Sequence, residues 1–106
     1  MPVADMFPMG LRRSLPALRS QERVADPIVH LRFFSPSSPL VWYVTEGSPE
    51  DDDFVFFGFV AGVDPEWGYF SLSELTEASS SLARPIHCDP EFKPAPFSHV
   101  VRKKVT

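Results

Sequence analysis

Five residues have the donor chemistry of a metal site: His30, His87, Cys88, Asp89 and His99. Their spacing argues against one. His87, Cys88 and Asp89 are consecutive, and consecutive residues of an extended chain alternate between faces, so the three cannot converge on one ion. Neither C-x-x-C nor H-x-x-x-H, spacings that bring two ligands to one point, is present. Cys88 beside His87 also has the ingredients of a thiolate nucleophile and its base, but such partners meet through the fold rather than as strand neighbours. No G-x-S-x-G turn occurs. Glu66 and Glu74 would suit general acid–base work if buried together. Glu74, however, stands three residues after Ser71, the spacing of a helix capping box, and Glu66 follows Asp64-Pro65 in a turn. The glycines are scattered at 10, 47, 58, 62 and 68 and form neither a P-loop nor a dinucleotide fingerprint. The expectation is therefore no catalytic group, no cofactor and no metal.

Charge is the more informative pattern. Residues 33–83 hold nine acids and no Lys or Arg, while all ten basic residues lie in the two flanks. Phosphate binding needs Lys or Arg, so the middle of the chain is not expected to bind nucleic acid directly. Its acids are either solvated turns or a surface that meets a basic partner. Trp42 and Trp67 are either packing residues or anchors of such an interface.

The elements that must position these groups follow from periodicity. Met9, Leu11, Leu15 and Leu18 share a helical face, which predicts a helix near residues 8–22, broken at Pro16 and ended by Asp26-Pro27. Strands are predicted at 29–34, 40–45, 54–60 and 67–70. Their separators are a turn at 35–39, an acidic loop at 47–53 and a turn at 64–66. The third strand is apolar on both faces and is expected to be covered on both. Gly58 within it marks a bulge or a close approach by a neighbour. Ser71 caps a helix running to about residue 78. An edge strand at 85–88 and a short helix at 96–103 complete the chain. The fold class is α+β: an antiparallel meander of four to five strands with short helices, in one domain spanning 1–106 with flexible ends at 1–7 and 103–106. One hundred and six residues with ten Phe are enough for a core without staples. Cys88 is the only cysteine, no apolar run reaches the length of a membrane span, and the N-terminus lacks the order of a signal peptide. A cytoplasmic protein is the expectation.

The order Phe34-Ser35-Pro36, Trp42, Phe57-Gly58 and then Glu66-Trp67-Gly68-Tyr69-Phe70-Ser71-Leu72-Ser73-Glu74-Leu75 resembles the DUF2958 family of short bacterial proteins. The most specific piece is the string from Glu66 to Leu75, and the resemblance covers about residues 8–96. It implies a role as cargo of plasmids, phages and other mobile elements, and carries over no catalytic residue. The Phe-rich third strand and Lys-rich end depart from the family pattern.

These readings converge on an interaction protein: a modulator of the anti-restriction or anti-CRISPR type that presents acids to a basic, nucleic-acid-binding host protein. The candidate contact residues are Glu46, Glu50, Asp51, Asp52, Asp53, Asp64, Glu66 and Trp67. The alternative is a small-molecule-binding or hydrolytic domain with a pocket on the sheet near Glu66, Glu74 or His30. A third reading is self-association through a sheet edge or aromatic face.

Overall fold

The computed structural model describes residue 7 and residues 9–105, with side chains at 7 and 10–101. Helix α1 (Met9–Ser14) leads into a run of turns, followed by β1 (Ile28–Val29), β2 (Leu31–Phe34), β3 (Val41–Glu50), β4 (Asp53–Ala61) and β5 (Glu66–Ser71). Helix α2 (Leu72–Ser80), two short strands β6 (His87–Cys88) and β7 (Ala95–Pro96) and helix α3 (Phe97–Val105) complete the chain. The main sheet is antiparallel in the order β5-β4-β3-β2-β6, a meander with one further edge strand, and β1 pairs with β7 in a separate ribbon. This is the expected α+β architecture.

Local chemistry explains the boundaries. The first helix stops at Ser14 because Pro16 removes a backbone donor, and residues 18–23 form successive turns instead of the expected second helical segment. Helix α2 starts where the capping box predicts. The Ser71 hydroxyl accepts the Glu74 N–H at 3.1 Å, and the Glu74 carboxylate accepts the Ser71 N–H at 2.8 Å. The acidic loop expected at 47–53 is instead mostly strand. Glu50 pairs with Asp53, so only Asp51 and Asp52 turn the hairpin. Asp51 takes φ 54°, in the left-handed region that Asp tolerates better than most residues.

One face of the sheet carries the core. Phe33, Trp42, Val44, Phe54, Phe56 and Phe70 project from it and pack with Leu72 and Leu75 of α2 and with Leu15 and Ile86. Phe7, placed by composition in a flexible end, is fully buried, its ring edge-on to Phe33, Phe54 and Phe56 at centroid distances of 5.9, 5.0 and 5.1 Å. At the other expected flexible end, residues 103–105 continue α3. Residues 1–6, 8 and 106 lie outside the described residues. Each well-buried Phe contributes about 2 kcal/mol by removal of apolar surface from water. No helix among the described residues is long and apolar enough to cross a membrane.

The second face holds Tyr43, Thr45, Glu46, Val55, Phe57, Phe59, Trp67 and Tyr69, as the strand registers dictate. It is only partly covered, by the turns at 18–27 and by Phe97 of α3, whose ring lies 5.0 Å from Phe59 and 4.7 Å from Trp67. Phe57 and Phe59 are half-buried, whereas Phe54 and Phe56 are buried. The expectation of full cover on both faces of β4 is thus corrected for this face.

Of the two alternatives expected for Gly58, the structure shows the close approach, and the bulge lies opposite it in β3. The β3–β4 register shifts between Val44 and Glu46, leaving Thr45 as an extra residue, and a Cβ at Gly58 would stand 1.9 Å from the Tyr43 carbonyl oxygen. A Cβ at Gly68 would meet nothing within 4 Å. Gly58→Ala is accordingly expected to cost about 3 kcal/mol or more, and Gly68→Ala to stay within about 0.5 kcal/mol of the parent or to stabilise. Urea unfolding of the two variants side by side checks this.

Candidate functional site

The turns that follow Pro16 are pinned to the second face by one buried carboxylate. Glu46 is 4% exposed. Its Oε1 accepts the Arg19 N–H at 2.6 Å and its Oε2 the Gln21 N–H at 2.7 Å. Both are charge-assisted bonds, about twice as strong as neutral ones. Around them, the Ser48 hydroxyl accepts the Leu18 N–H and the Pro16 carbonyl accepts the Gly47 N–H. Both ends of the Gln21 amide are engaged: its nitrogen donates to the Ile28 and Thr45 carbonyls at 3.0 and 2.8 Å, and its oxygen accepts the Ile28 N–H at 2.7 Å. Arg19 is held at φ 75°, a conformation that costs a non-glycine residue free energy and that the carboxylate offsets.

So fastened, the loop forms one wall of a cleft of about 400 Å³. Arg19, Glu22, Val24 and Pro27 line that wall; Thr45 and Glu46 form the floor; Phe57, Trp67 and Tyr69 form the opposite side. Phe57 lies parallel to Trp67 at 5.8 Å and edge-on to Tyr69 at 4.9 Å. Trp67 and Tyr69 remain 39% and 61% exposed.

The eight residues singled out from charge do not form one surface. Glu46 is buried and committed to its own chain. Glu50, Asp51 and Asp52 are exposed at the β3–β4 hairpin. Asp53 is half-buried and accepts the Ser73 N–H at 3.1 Å and the Ser73 hydroxyl at 2.5 Å, at the N-terminus of α2. Those bonds hold its carboxyl below the usual carboxylate range. Asp64, Glu66 and Trp67 are exposed at the other end of β4 and along β5. Sequence reasoning passed over Glu22, Phe57 and Tyr69. The available signal was the period-two match of Phe57 and Phe59 with Tyr69 and Trp67.

The other candidates settle into structural roles. The His87 ring packs tilted against Phe34 at 4.3 Å, Asp89 pairs with Arg32 at 2.9 Å, and Cys88 lies on the opposite face beside Phe33. No group of three or more His, Cys, Asp and Glu among the described residues is arranged to hold a metal. Glu66 and Glu74 are both exposed, and Glu74 closes the capping box, so the buried carboxylate pair of the hydrolytic reading does not exist. His30 is half-buried, and that burial lowers its pKa.

Two outcomes follow. Glu46→Ala leaves the Arg19 and Gln21 amides unpaired and is expected to cost about 2–4 kcal/mol, with faster amide exchange at both residues. Burial, assisted by Asp89, raises the Cys88 thiol to about 11 from 9.0. At pH 8 its reaction with a chromogenic disulfide reagent is expected to be about a hundredfold slower in the folded protein than after denaturation, because the thiolate is the reactive form; the release of the coloured thiol measures the ratio.

The family described as "Protein of unknown function (DUF2958)" matches residues 9–103. Neither the curated proteins nor the solved structures contain a match to the chain. The family match takes in α1, the whole meander, both edges of the cleft and most of α3: this chain belongs to the DUF2958 family.

Proposed function

We propose that the protein is a small interaction module that modulates a host system by binding a basic, nucleic-acid-binding protein, in the manner of a mobile-element anti-restriction or anti-CRISPR protein. The observation that carries the reading is the aromatic side of the cleft. Trp67 and Tyr69 stand exposed, side by side on β5 and braced by Phe57. Aromatic side chains held rigid at a surface are the usual anchors of protein interfaces, since they bury much area at little cost in entropy.

The local charge supports a basic partner. Glu22 and Glu46 outnumber Arg19 in the cleft lining, Asp64 stands just before β5 and Glu66 opens it, and the Phe57, Trp67 and Tyr69 rings would accept a guanidinium on their faces. Of the two groups of candidate acids, at the β3–β4 hairpin and at the start of β5, this reading keeps the contact at the second, beside the cleft. Of the original candidates, Trp67 lines the cleft, while Asp64 and Glu66 lie exposed at the start of β5, Glu66 on the opposite face of the strand from Trp67; Glu22, Phe57 and Tyr69 join Trp67. The alternative of a small-molecule pocket has less in its favour. Both Glu46 oxygens, both N–H groups of the Gln21 amide and its carbonyl oxygen already have partners within the chain, so these groups offer a small ligand little to bind.

Cross-linking and affinity capture from host lysate with three forms of the protein tests the reading. Trp67→Ala with Tyr69→Ala is expected to weaken the captured complex by about thirtyfold or more, as the loss of a hot spot does. Asp51→Asn with Asp52→Asn is expected to change it little. Added salt should weaken the parent complex. Identical captured sets from all three forms would refute the reading.

A further inference from the structure

Strand β5 is one of the two edges of the main sheet, joined to β4 on one side and, among the described residues, to no strand on the other. Proteins usually blunt such edges with Lys, Pro, a bulge or extreme shortness. The opposite edge is blunted: β6 is two residues long, with Pro85 and Pro90 close on either side. Strand β5 has none of these devices. It has six residues, contains neither Lys nor Pro, and keeps an unbroken register with β4 from Glu66 to Ser71.

The backbone groups that face outward can be assigned. The Ser71 N–H is taken by the Glu74 carboxylate and not by β4. In an antiparallel strand the N–H and C=O of alternate residues point to the same side, so the groups of Tyr69 and Trp67 also point away from β4. The two residues that project the exposed rings therefore also present the open hydrogen-bonding edge. Between them, Gly68 leaves its surroundings clear: a side chain there would touch nothing within 4 Å.

We infer that β5 is a strand-addition site, at which an extended segment of the partner pairs with the backbone of Trp67 and Tyr69 and lays alternate basic side chains beside their rings. The inference rests on the proposed reading of a basic protein partner and specifies how that partner is held. Neighbouring strands align side chains on a common face, so alternate residues of the added segment fall beside the aromatic row, next to the cleft that Glu22 lines. Exposed charges along and just beyond β5 are Asp64, Glu66, Glu74 and Glu77, all acidic. A second copy fits less well. Pairing β5 with itself would gather these acids from both copies along one seam, and residues 33–83 supply no Lys or Arg to offset them.

The test uses the intact protein and a short synthetic peptide alternating arginine with valine. Three controls accompany it: the same peptide N-methylated at alternate residues in each of the two registers, one on the bonding amides and one on the others, and a peptide with glutamate in place of arginine. The arginine peptide is expected to bind and to slow amide exchange at Trp67 and Tyr69 by about tenfold or more. N-methylation in the bonding register, which removes the added ladder, should weaken binding by about tenfold or more, as should the change to glutamate. No binding by the arginine peptide, equal binding by both N-methylated registers and the parent peptide, or unchanged exchange at Trp67 and Tyr69 in the bound protein would overturn the inference. So would a concentration-dependent dimer that protects those amides without peptide, which would make the occupant a second copy. If lysate capture still depends on Trp67 and Tyr69 when the peptide test fails, strand addition falls and the recognition reading stands. If the capture fails as well, both fall.

Discussion

One extra residue in β3 decides the rest of the arrangement. Val44 points into the core, so regular alternation would turn Thr45 out and Glu46 in, against the Phe56 ring. The bulge at Thr45 prevents this by placing both Thr45 and Glu46 on the second face and returning Gly47 to the core side. A side chain at Gly47 would press on Phe54 and Leu15 at 2.7 and 2.9 Å, so the residue delivered to the core by the shift is the one small enough for it. Gly58 lets the opposing backbone come close at the same place. An acid that would have been an unpaired charge among phenylalanines instead becomes the ligand of two backbone amides.

The two faces consequently hold together by different physics. The core side is apolar packing, with Phe7 inserted edge-on among three other rings and α2 laid over them. The second side is a hydrogen-bonded strap in which Glu46, Gln21 and Ser48 satisfy a loop lacking regular secondary structure. Loops over a sheet are normally weak because their backbone groups have no ladder. Here side chains replace the ladder, so the wall of the cleft has fixed geometry although it is built from turns. A rigid wall beside exposed rings lowers the entropy lost when a partner docks.

Much of the fold was legible because local signals agreed with the global one. The Ser71–Glu74 box starts α2, alternation defines four strands, and Pro16 ends α1. The miss at residues 47–50 has a specific origin. Glu46 breaks the alternation, Gly47 and Pro49 read as turn chemistry, and without knowledge of the bulge the strand has to be ended at Thr45. The same blindness affected the candidate site. Charge counting treats Glu46, Asp53 and Asp51 alike, yet one is a buried clamp, one binds the first turn of α2 and one turns a hairpin. Whether a carboxylate faces solvent or its own backbone depends on long-range partners such as Arg19 and Ser73, which spacing does not encode. Trp67 was visible as a candidate anchor; Tyr69 and Phe57 became visible only through the β4–β5 register.

The amino end of α3 has a consequence for the order of assembly. Asp26 accepts both the N–H and the hydroxyl of Ser98, at 2.9 and 2.6 Å, and the β1–β7 ribbon joins the same two distant stretches. Among the described residues, the core cluster and the groups packed against it reach no further along the chain than Cys88, whereas this closure cannot form until residues 95–98 have been made. A chain emerging from the ribosome can thus complete its apolar layer first and fasten the outer ribbon last. Local contacts precede distant ones because closing a long loop costs entropy before its bonds form. The ribbon and helix that bring Phe97 against Trp67 are then ordered after the core, so the aromatic row reaches its final shape only once residues 95–98 have been made and have closed on Asp26.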